Sequence, residues 1–122
     1  RKTSIISARE HWPAVTRSGV GMIVSESGEK GSKGVNFELT FTEDYITVQH
    51  MFVAMAATHD PQNIADILRQ HPYHLDTLLQ MSEIYGQMGE QQQAADMLER
   101  AVYCLELACH PSFLTGLGGV EG

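Results

Sequence analysis

Leu75-Asp76-Thr77-Leu78-Leu79-Gln80-Met81-Ser82-Glu83-Ile84-Tyr85-Gly86-Gln87-Met88-Gly89 decides the fold, together with the run from Glu90 to Cys109 that follows it. Leu75, Leu78, Leu79, Met81, Ser82 and Tyr85 fall at the three-and-four spacing of one helical face, so a helix is predicted from near His74–Asp76 to about Gln87. Gly89 suits the left-handed residue that ends such a helix. A second helix is predicted from about Glu90 to Cys109. Its main stripe is Ala94, Leu98, Ala101, Leu105 and Ala108, widened by Met97 and Cys104 on one side and by Ala95 and Val102 on the other. A helix this broadly apolar needs neighbours on more than one side, so a longer parent polypeptide with further helices beyond Gly122 is expected.

Across these two helices Leu78, Met81, Ser82, Tyr85, Gly89, Ala94, Leu98 and Ala101 follow one another at intervals of 3, 1, 3, 4, 5, 4 and 3. The series resembles the tetratricopeptide signature, with small residues (Ser82, Ala94, Ala101) at a close helix crossing and large ones (Leu78, Tyr85, Leu98) filling the space beside it. One such unit cannot bury its own face. Moving back 34 residues lands on Asp44, Thr47 and Met51, which do not repeat the pattern.

Working outward, Thr42 is a good N-cap ahead of Glu43 and Asp44, and Tyr45, Val48, Phe52 and Met55, joined by Met51, form a helical stripe. Asp60-Pro61 restarts the chain as cap and first helical residue, Ile64, Ile67 and Leu68 face inward, and His71-Pro72 stops that short helix. Further upstream the period changes to two. Val35, Phe37, Leu39 and Phe41 alternate with Asn36, Glu38 and Thr40, and Met22 and Val24 alternate with Gly21, Ile23 and Ser25. The polar Gly28–Gly34 stretch joins them as the loop of a β-hairpin. A lone hairpin is marginal, so its apolar face is expected to pack on the helices. Residues 1–19 read as an extended lead-in whose Trp12, held extended by Pro13, docks on the body. Residues 111–122 read as a Gly-rich flexible tail. The expected whole is one mainly helical domain: lead-in 1–19, hairpin 20–41, and a four-helix, tetratricopeptide-like core of helix pairs at 42–110.

Composition narrows the function. The 122 residues hold 8 Lys+Arg against 15 Asp+Glu, a net charge of −7, with no cationic excess for a nucleic-acid backbone or an acidic membrane surface. The longest apolar run, Met51–Ala57, is far short of the roughly 20 residues a bilayer span needs. The chain opens Arg1-Lys2-Thr3-Ser4 without an apolar segment after it, so an excised intracellular piece rather than a signal peptide is expected. Cys104 and Cys109 sit five apart on one helix, pointing roughly 140° away from each other, and read as reduced thiols.

No motif assembles a catalytic or metal centre. There is neither Gly-x-Ser-x-Gly nor His-Glu-x-x-His, and His71, His74, Cys104, Cys109 and His110 lack the paired spacing of a structural zinc site. Gly28, Gly31 and Gly34, with Lys30 and Lys33 between them, lack phosphate-loop spacing. Cys104, on the apolar side of its helix, reads as an inert thiol. Met51, Met55, Met81, Met88 and Met97 read mainly as core filling. Glu83, Glu90, Asp96 and Glu99 read either as a solvated face or as a surface for a basic partner. Pro72-Tyr73-His74 reads either as a helix-start device, with Tyr73 packed and His74 or Asp76 capping, or as a partner-binding loop. Turns between stacked helices favour the first.

His71-Pro72-Tyr73-His74-Leu75-Asp76-Thr77-Leu78-Leu79-Gln80-Met81-Ser82 resembles the signature stretch of the transcription-factor-25 family, which includes a subunit of the ribosome quality control complex. Glu99-Arg100-Ala101-Val102-Tyr103, then Glu106, then His110-Pro111-Ser112-Phe113 resemble its second stretch, and Trp12-Pro13 and the hairpin stand upstream in matching order. The resemblance implies a non-enzymatic helical-repeat scaffold without cofactor, in the cytosol with a nuclear association. It implies action on stalled large ribosomal subunits with the ubiquitin ligase Listerin, the making of degradation-type ubiquitin chains on trapped nascent peptides, and recruitment of the valosin-containing-protein unfoldase. The same resemblance marks Tyr73, His74, Tyr103, Glu106, His110 and Phe113 as candidate partner contacts.

Overall fold

Side chains that accept hydrogen bonds from a first turn's own N–H groups fix where the helices begin, because those groups have no partner inside the helix. The computed structural model describes residues 8–15, 18–26 and 35–109. They form two strands, β1 (Val20–Glu26) and β2 (Val35–Phe41), followed by four helices, α1 (Glu43–Ala56), α2 (Pro61–Gln70), α3 (Leu75–Gln87) and α4 (Gln91–Cys109). Thr42 Oγ1 accepts from the Tyr45 N–H at 3.1 Å and starts α1. Asp60 accepts from the Gln62 N–H at 3.0 Å, with Pro61 at the first helical position of α2. Between the two expected caps for α3, the structure uses His74, whose Nδ1 accepts from the Thr77 N–H at 3.3 Å. Gly89, at φ +82°, turns the chain out of α3. Its N–H donates to the Gly86 carbonyl at 3.1 Å and the Glu90 N–H to the Tyr85 carbonyl at 2.9 Å, the paired bonds that close a helix around a left-handed residue.

The fold is mainly helical, with an antiparallel hairpin ahead of the helices. α3 and α4 run antiparallel: Ser82 Oγ donates to the Ala94 carbonyl at 2.8 Å near one end, and Cys104 Sγ meets the Tyr73 carbonyl at 3.7 Å near the other. Between these ends Leu78, Met81, Met97 and Ala101 form a core with Ile64 of α2. Phe52 and Met55 of α1, and Tyr85, pack around it half-buried. Ser82, Ala94 and Ala101 thus sit at the crossing. Ala101, 4% exposed, is enclosed by Ile64, Leu78, Met81 and Met97, so a larger side chain there has to displace core neighbours. Ala101→Leu should cost about 1–3 kcal/mol by overpacking, read as a lowered thermal midpoint; an unchanged midpoint would show that the two helices do not meet there.

Three expectations need correction. Leu79, read on the packed face of α3, is 48% exposed, and Leu98, placed in the packed set with those residues, is 47% exposed. It lies about 100° around α4 from Met97, on a side that no described element covers. Met51 and Met88 are exposed rather than core-filling, whereas Met81 and Met97 are buried. The hairpin covers its apolar face only in part. Its register, Val20↔Phe41 and Met22↔Leu39, puts these four side chains on one face, yet Leu39 is 39% and Phe41 41% exposed. The sheet meets the helices through β1, which lies against α4 with Val20 beside Tyr103 and Cys104, while Phe41 stacks on Tyr45 at 4.9 Å at the start of α1. Gly19, at φ +84°, lets the lead-in pass there: a Cβ would lie 3.0 Å from Thr42 Oγ1 and 3.1 Å from Tyr45 Cβ. The hairpin loop, the first seven residues, the tail and the side chains of Val24, Val35 and Phe37 lie outside the described residues.

Candidate interaction site

Asp96, Arg100, Tyr103 and Leu107 recur at three- and four-residue spacing along one side of α4, and the lead-in returns across about 85 residues of sequence to meet that side. Trp12 Nε1 donates to Asp96 Oδ1 at 2.9 Å. His11 Nε2 lies 3.1 Å from the same oxygen, and Arg9 Nε donates to Glu99 Oε1 at 2.9 Å. The Trp12 ring, 7% exposed, packs at 5.4 Å from the Tyr103 ring. Tyr73 donates its hydroxyl to the Pro13 carbonyl at 2.5 Å, which ties the lead-in to the α2–α3 corner as well.

Arg100 lies beneath this clasp, 7% exposed. Its guanidinium sits 5.9 Å from the Trp12 centroid and 5.8 Å from that of Tyr73. Nη1 donates to the Pro72 carbonyl at 3.4 Å, Nη2 stands 3.8 Å from Asp96 Oδ2, and Nε has no hydrogen-bond partner. The aromatic faces supply the attraction that the incomplete hydrogen bonding does not, each worth about 0.5–2 kcal/mol when desolvated. The group is a structural lock: Asp96 and Arg100 are turned toward the lead-in and the α2–α3 corner, with Arg9, His11 and Glu99 at its exposed rim.

His74 is 2% exposed, between the rings of Tyr45 at 4.7 Å and Phe52 at 5.7 Å. Because Nδ1 accepts from the Thr77 N–H, the neutral ring carries its proton on Nε2, which is buried without a partner. Burial holds its pKa below 6.5, against a smaller upward pull from Asp76. Protonation would also turn Nδ1 into a donor and break the α3 cap. The unfolded chain therefore binds this proton first, and stability present above about pH 6.5 is lost as pH falls below it. His74→Asn, which keeps a cap without a titrating group, should flatten the dependence of urea midpoint on pH between about 6.5 and 5. An unaltered slope would assign the acid sensitivity elsewhere. The neighbouring Tyr45, whose hydroxyl oxygen accepts from the Leu75 N–H at 2.9 Å, has its pKa pushed up to about 12, mainly by burial.

The residues expected to touch partners divide sharply. Tyr73, His74 and Tyr103 come together around the α2–α3 corner but are buried, at 6%, 2% and 5% exposure, so their side chains serve the chain itself. Glu106 is half-buried on α4, and His110 and Phe113 lie outside the described residues. The sequence reading missed the parts of Asp96 and Arg100. Asp96, grouped there with the exposed acids, has a side chain only 18% exposed and accepts from Trp12. The available signal was an Asp and an Arg four apart on α4, on the same side as Tyr103. A cavity of about 530 Å³ lies between the lead-in, the start of α1 and the α2–α3 corner, lined among others by Val15, Ser18, Thr42, Tyr45 and His71.

Chemistry at the thiols is suppressed. Cys104 is fully buried and its pKa is pushed up to about 11 by that burial; Cys109 is raised too, for the same reason first. Both are free thiols. Iodoacetamide at neutral pH should find no fast-reacting cysteine in the native protein, and Cys104 should label only on unfolding. One rapidly labelled thiol would contradict the neutral, buried state. Among the described residues no group of three or more His, Cys, Asp or Glu is placed to hold a metal ion, and no helix is long and apolar enough to cross a membrane.

Comparison with known proteins gives this arrangement a family. Over 117 residues, 96% of this chain, it is 37% identical to "Ribosome quality control complex subunit 1" of Schizosaccharomyces pombe, and over 111 residues, 91% of this chain, 36% identical to "Ribosome quality control complex subunit TCF25" of Homo sapiens. It is 29% identical over 106 residues, 78% of its length, to "Probable transcription factor claV" of Ampulloclitocybe clavipes. The matched stretch covers 18%, 16% and 14% of those three proteins, so the chain spans less than a fifth of each. No solved structure matches it. The model of the family described as transcriptional repressor TCF25 matches residues 37–120, from within β2 through all four helices, and to that family this chain belongs.

Proposed function

We propose that this chain is a non-catalytic scaffold segment of a ribosome quality control subunit. The observation that carries the reading is the 37% identity across 96% of the chain to a protein named for that complex. What supports a holding role is a buried, neutral Cys104 thiol, a lead-in clasped to α4 through Trp12 and Asp96, and two antiparallel helices stacked through Ser82, Ala94 and Ala101. In this role the segment works in the cytoplasm on large ribosomal subunits. It supports Listerin-dependent ubiquitin chains of degradation type on stalled nascent peptides and the arrival of the valosin-containing-protein unfoldase. Tyr73, His74 and Tyr103 act from below by shaping the corner, while Glu106, His110 and Phe113 are the residues offered to partners.

The test is a pull-down of the full-length protein with and without residues 37–120, scored for large ribosomal subunits, Listerin, the unfoldase and ubiquitin linkage. Loss of these on deletion is the expected result. Retention of all four would remove the function from this segment. A second reading, nuclear repression, draws on the family description and on the relative named as a transcription factor. It would be favoured if the deletion left ribosome association intact and abolished chromatin association instead.

A further inference from the structure

The α3–α4 pair has two sides, and among the described residues only one is covered. α2 packs against it through Ile64, and the lead-in and Val20 of β1 close over Tyr103 and Cys104. Away from these contacts α4 carries Ala95, Leu98, Val102 and Leu105 at three- and four-residue spacing, a single stripe in which Leu98 is 47% and Val102 40% exposed. Because Ser82 stands opposite Ala94 and Tyr73 opposite Cys104, Leu79 of α3 comes level with Leu98 and Leu75 with Val102. Leu79 is 48% exposed. Stepping about 100° per residue around each helix from the shared seam brings Leu79 and Leu98 to the same side of the pair. The result is a shallow apolar trough between two antiparallel helices, long enough for about three helical turns.

Charge restricts what fits there. α3 and α4 carry Asp76, Glu83, Asp96, Glu99 and Glu106 against one base, Arg100, which is buried on the other side. Glu83 is exposed one turn beyond Leu79, at the trough's edge. A second copy of this chain, itself at −7, would bring like charge to like. An anionic membrane surface is disfavoured for the same reason. The complementary shape is a helix with its own three-and-four apolar stripe, the way α3 already meets α2 and α4. The relatives supply its source, since the stretch aligned with this chain is only 18% and 16% of their length.

We propose that the trough lined by Leu79, Leu98 and Val102 seats a further helix of the same full-length polypeptide, amphipathic, with an aliphatic stripe and Lys or Arg beside Glu83. The trough is then an internal docking surface that extends the helical stack by one layer. The test places a photo-crosslinking amino acid at position 98 of the full-length protein, with isotopically mixed copies to separate links within a chain from links between chains. The expected product joins position 98 to a segment of the same chain outside these 122 residues, and that segment has basic residues flanking an apolar helical stripe. A link to a different protein, a link between copies, or no link at all would overturn the proposal. Hydroxyl-radical footprinting of the unaltered full-length protein guards against the probe itself blocking the trough. Leu79, Leu98 and Val102 should be protected together, and oxidation of all three as fast as the exposed Val53 would equally overturn it.

Discussion

Trp12→Ala should lower the stability of the protein by about 3–5 kcal/mol, the largest effect expected of any single lead-in substitution. Its ring is 7% exposed against Tyr103, its Nε1 satisfies Asp96, and it forms one of the two faces over Arg100. Removing it opens a cavity, leaves Asp96 without its shortest hydrogen bond, and uncovers a guanidinium whose Nε already lacks a partner. These losses share one site, so they are not additive with substitutions at Arg100 or Tyr73. Urea unfolding followed by circular dichroism should show a lower midpoint. Trp12→Phe, which keeps much of the packing and loses only the indole N–H, should fall by about 1–2 kcal/mol. A loss below about 1 kcal/mol for the alanine variant would mean that the lead-in does not dock on α4 in solution.

Leu78→Ala should cost about 2–5 kcal/mol. Leu78 has no exposed surface and joins Ile64 of α2 to Met97 and Ala101 of α4. It is therefore the side chain through which three helices share one core. Where in that range the loss falls depends on collapse: Met81 and Met97 are unbranched and can partly fill the void, which points to the lower half. The thermal midpoint reads this directly. A loss near zero would show that α3 does not pack between α2 and α4.

What could be read in the sequence was local. Thr42, Asp60-Pro61 and Gly89 announced helix ends because a cap acts within three or four residues of itself. Ser82, Ala94 and Ala101 were legible because helical spacing relates them across a three-residue turn. The ring of Trp12 docks on the body as expected, but the residues leading into it are not extended: Arg9 to Trp12 close a turn in which the Trp12 N–H donates to the Arg9 carbonyl at 3.0 Å. Asp96 and Arg100 were not legible. Their partners Trp12 and Pro72 lie 84 and 28 residues away, and no periodicity within α4 reveals a segment that returns from so far upstream. Leu98 failed for the opposite reason. Helical spacing gives an apolar position, but only the number of neighbours around the helix says whether anything covers it. The candidate contacts Tyr73, His74 and Tyr103 were conspicuous as unusual residues, and the structure accounts for them as cap, corner and clasp.

The bonds from Arg9, His11 and Trp12 to Glu99 and Asp96 span 84 to 90 residues, so these three residues find their partners only when α4 exists. During translation α1, α2 and α3 can form as they emerge, since their contacts with one another are with near neighbours in sequence, whereas β1 and the lead-in both wait for α4. The indole of Trp12 and the ring of Tyr73 stay uncovered through all of that time. Closing so long a loop is an entropic step taken once, at the end. A nascent chain halted before α4 has left the exit tunnel therefore keeps these rings open to solvent, whereas one released a few turns later can close the lead-in onto α4.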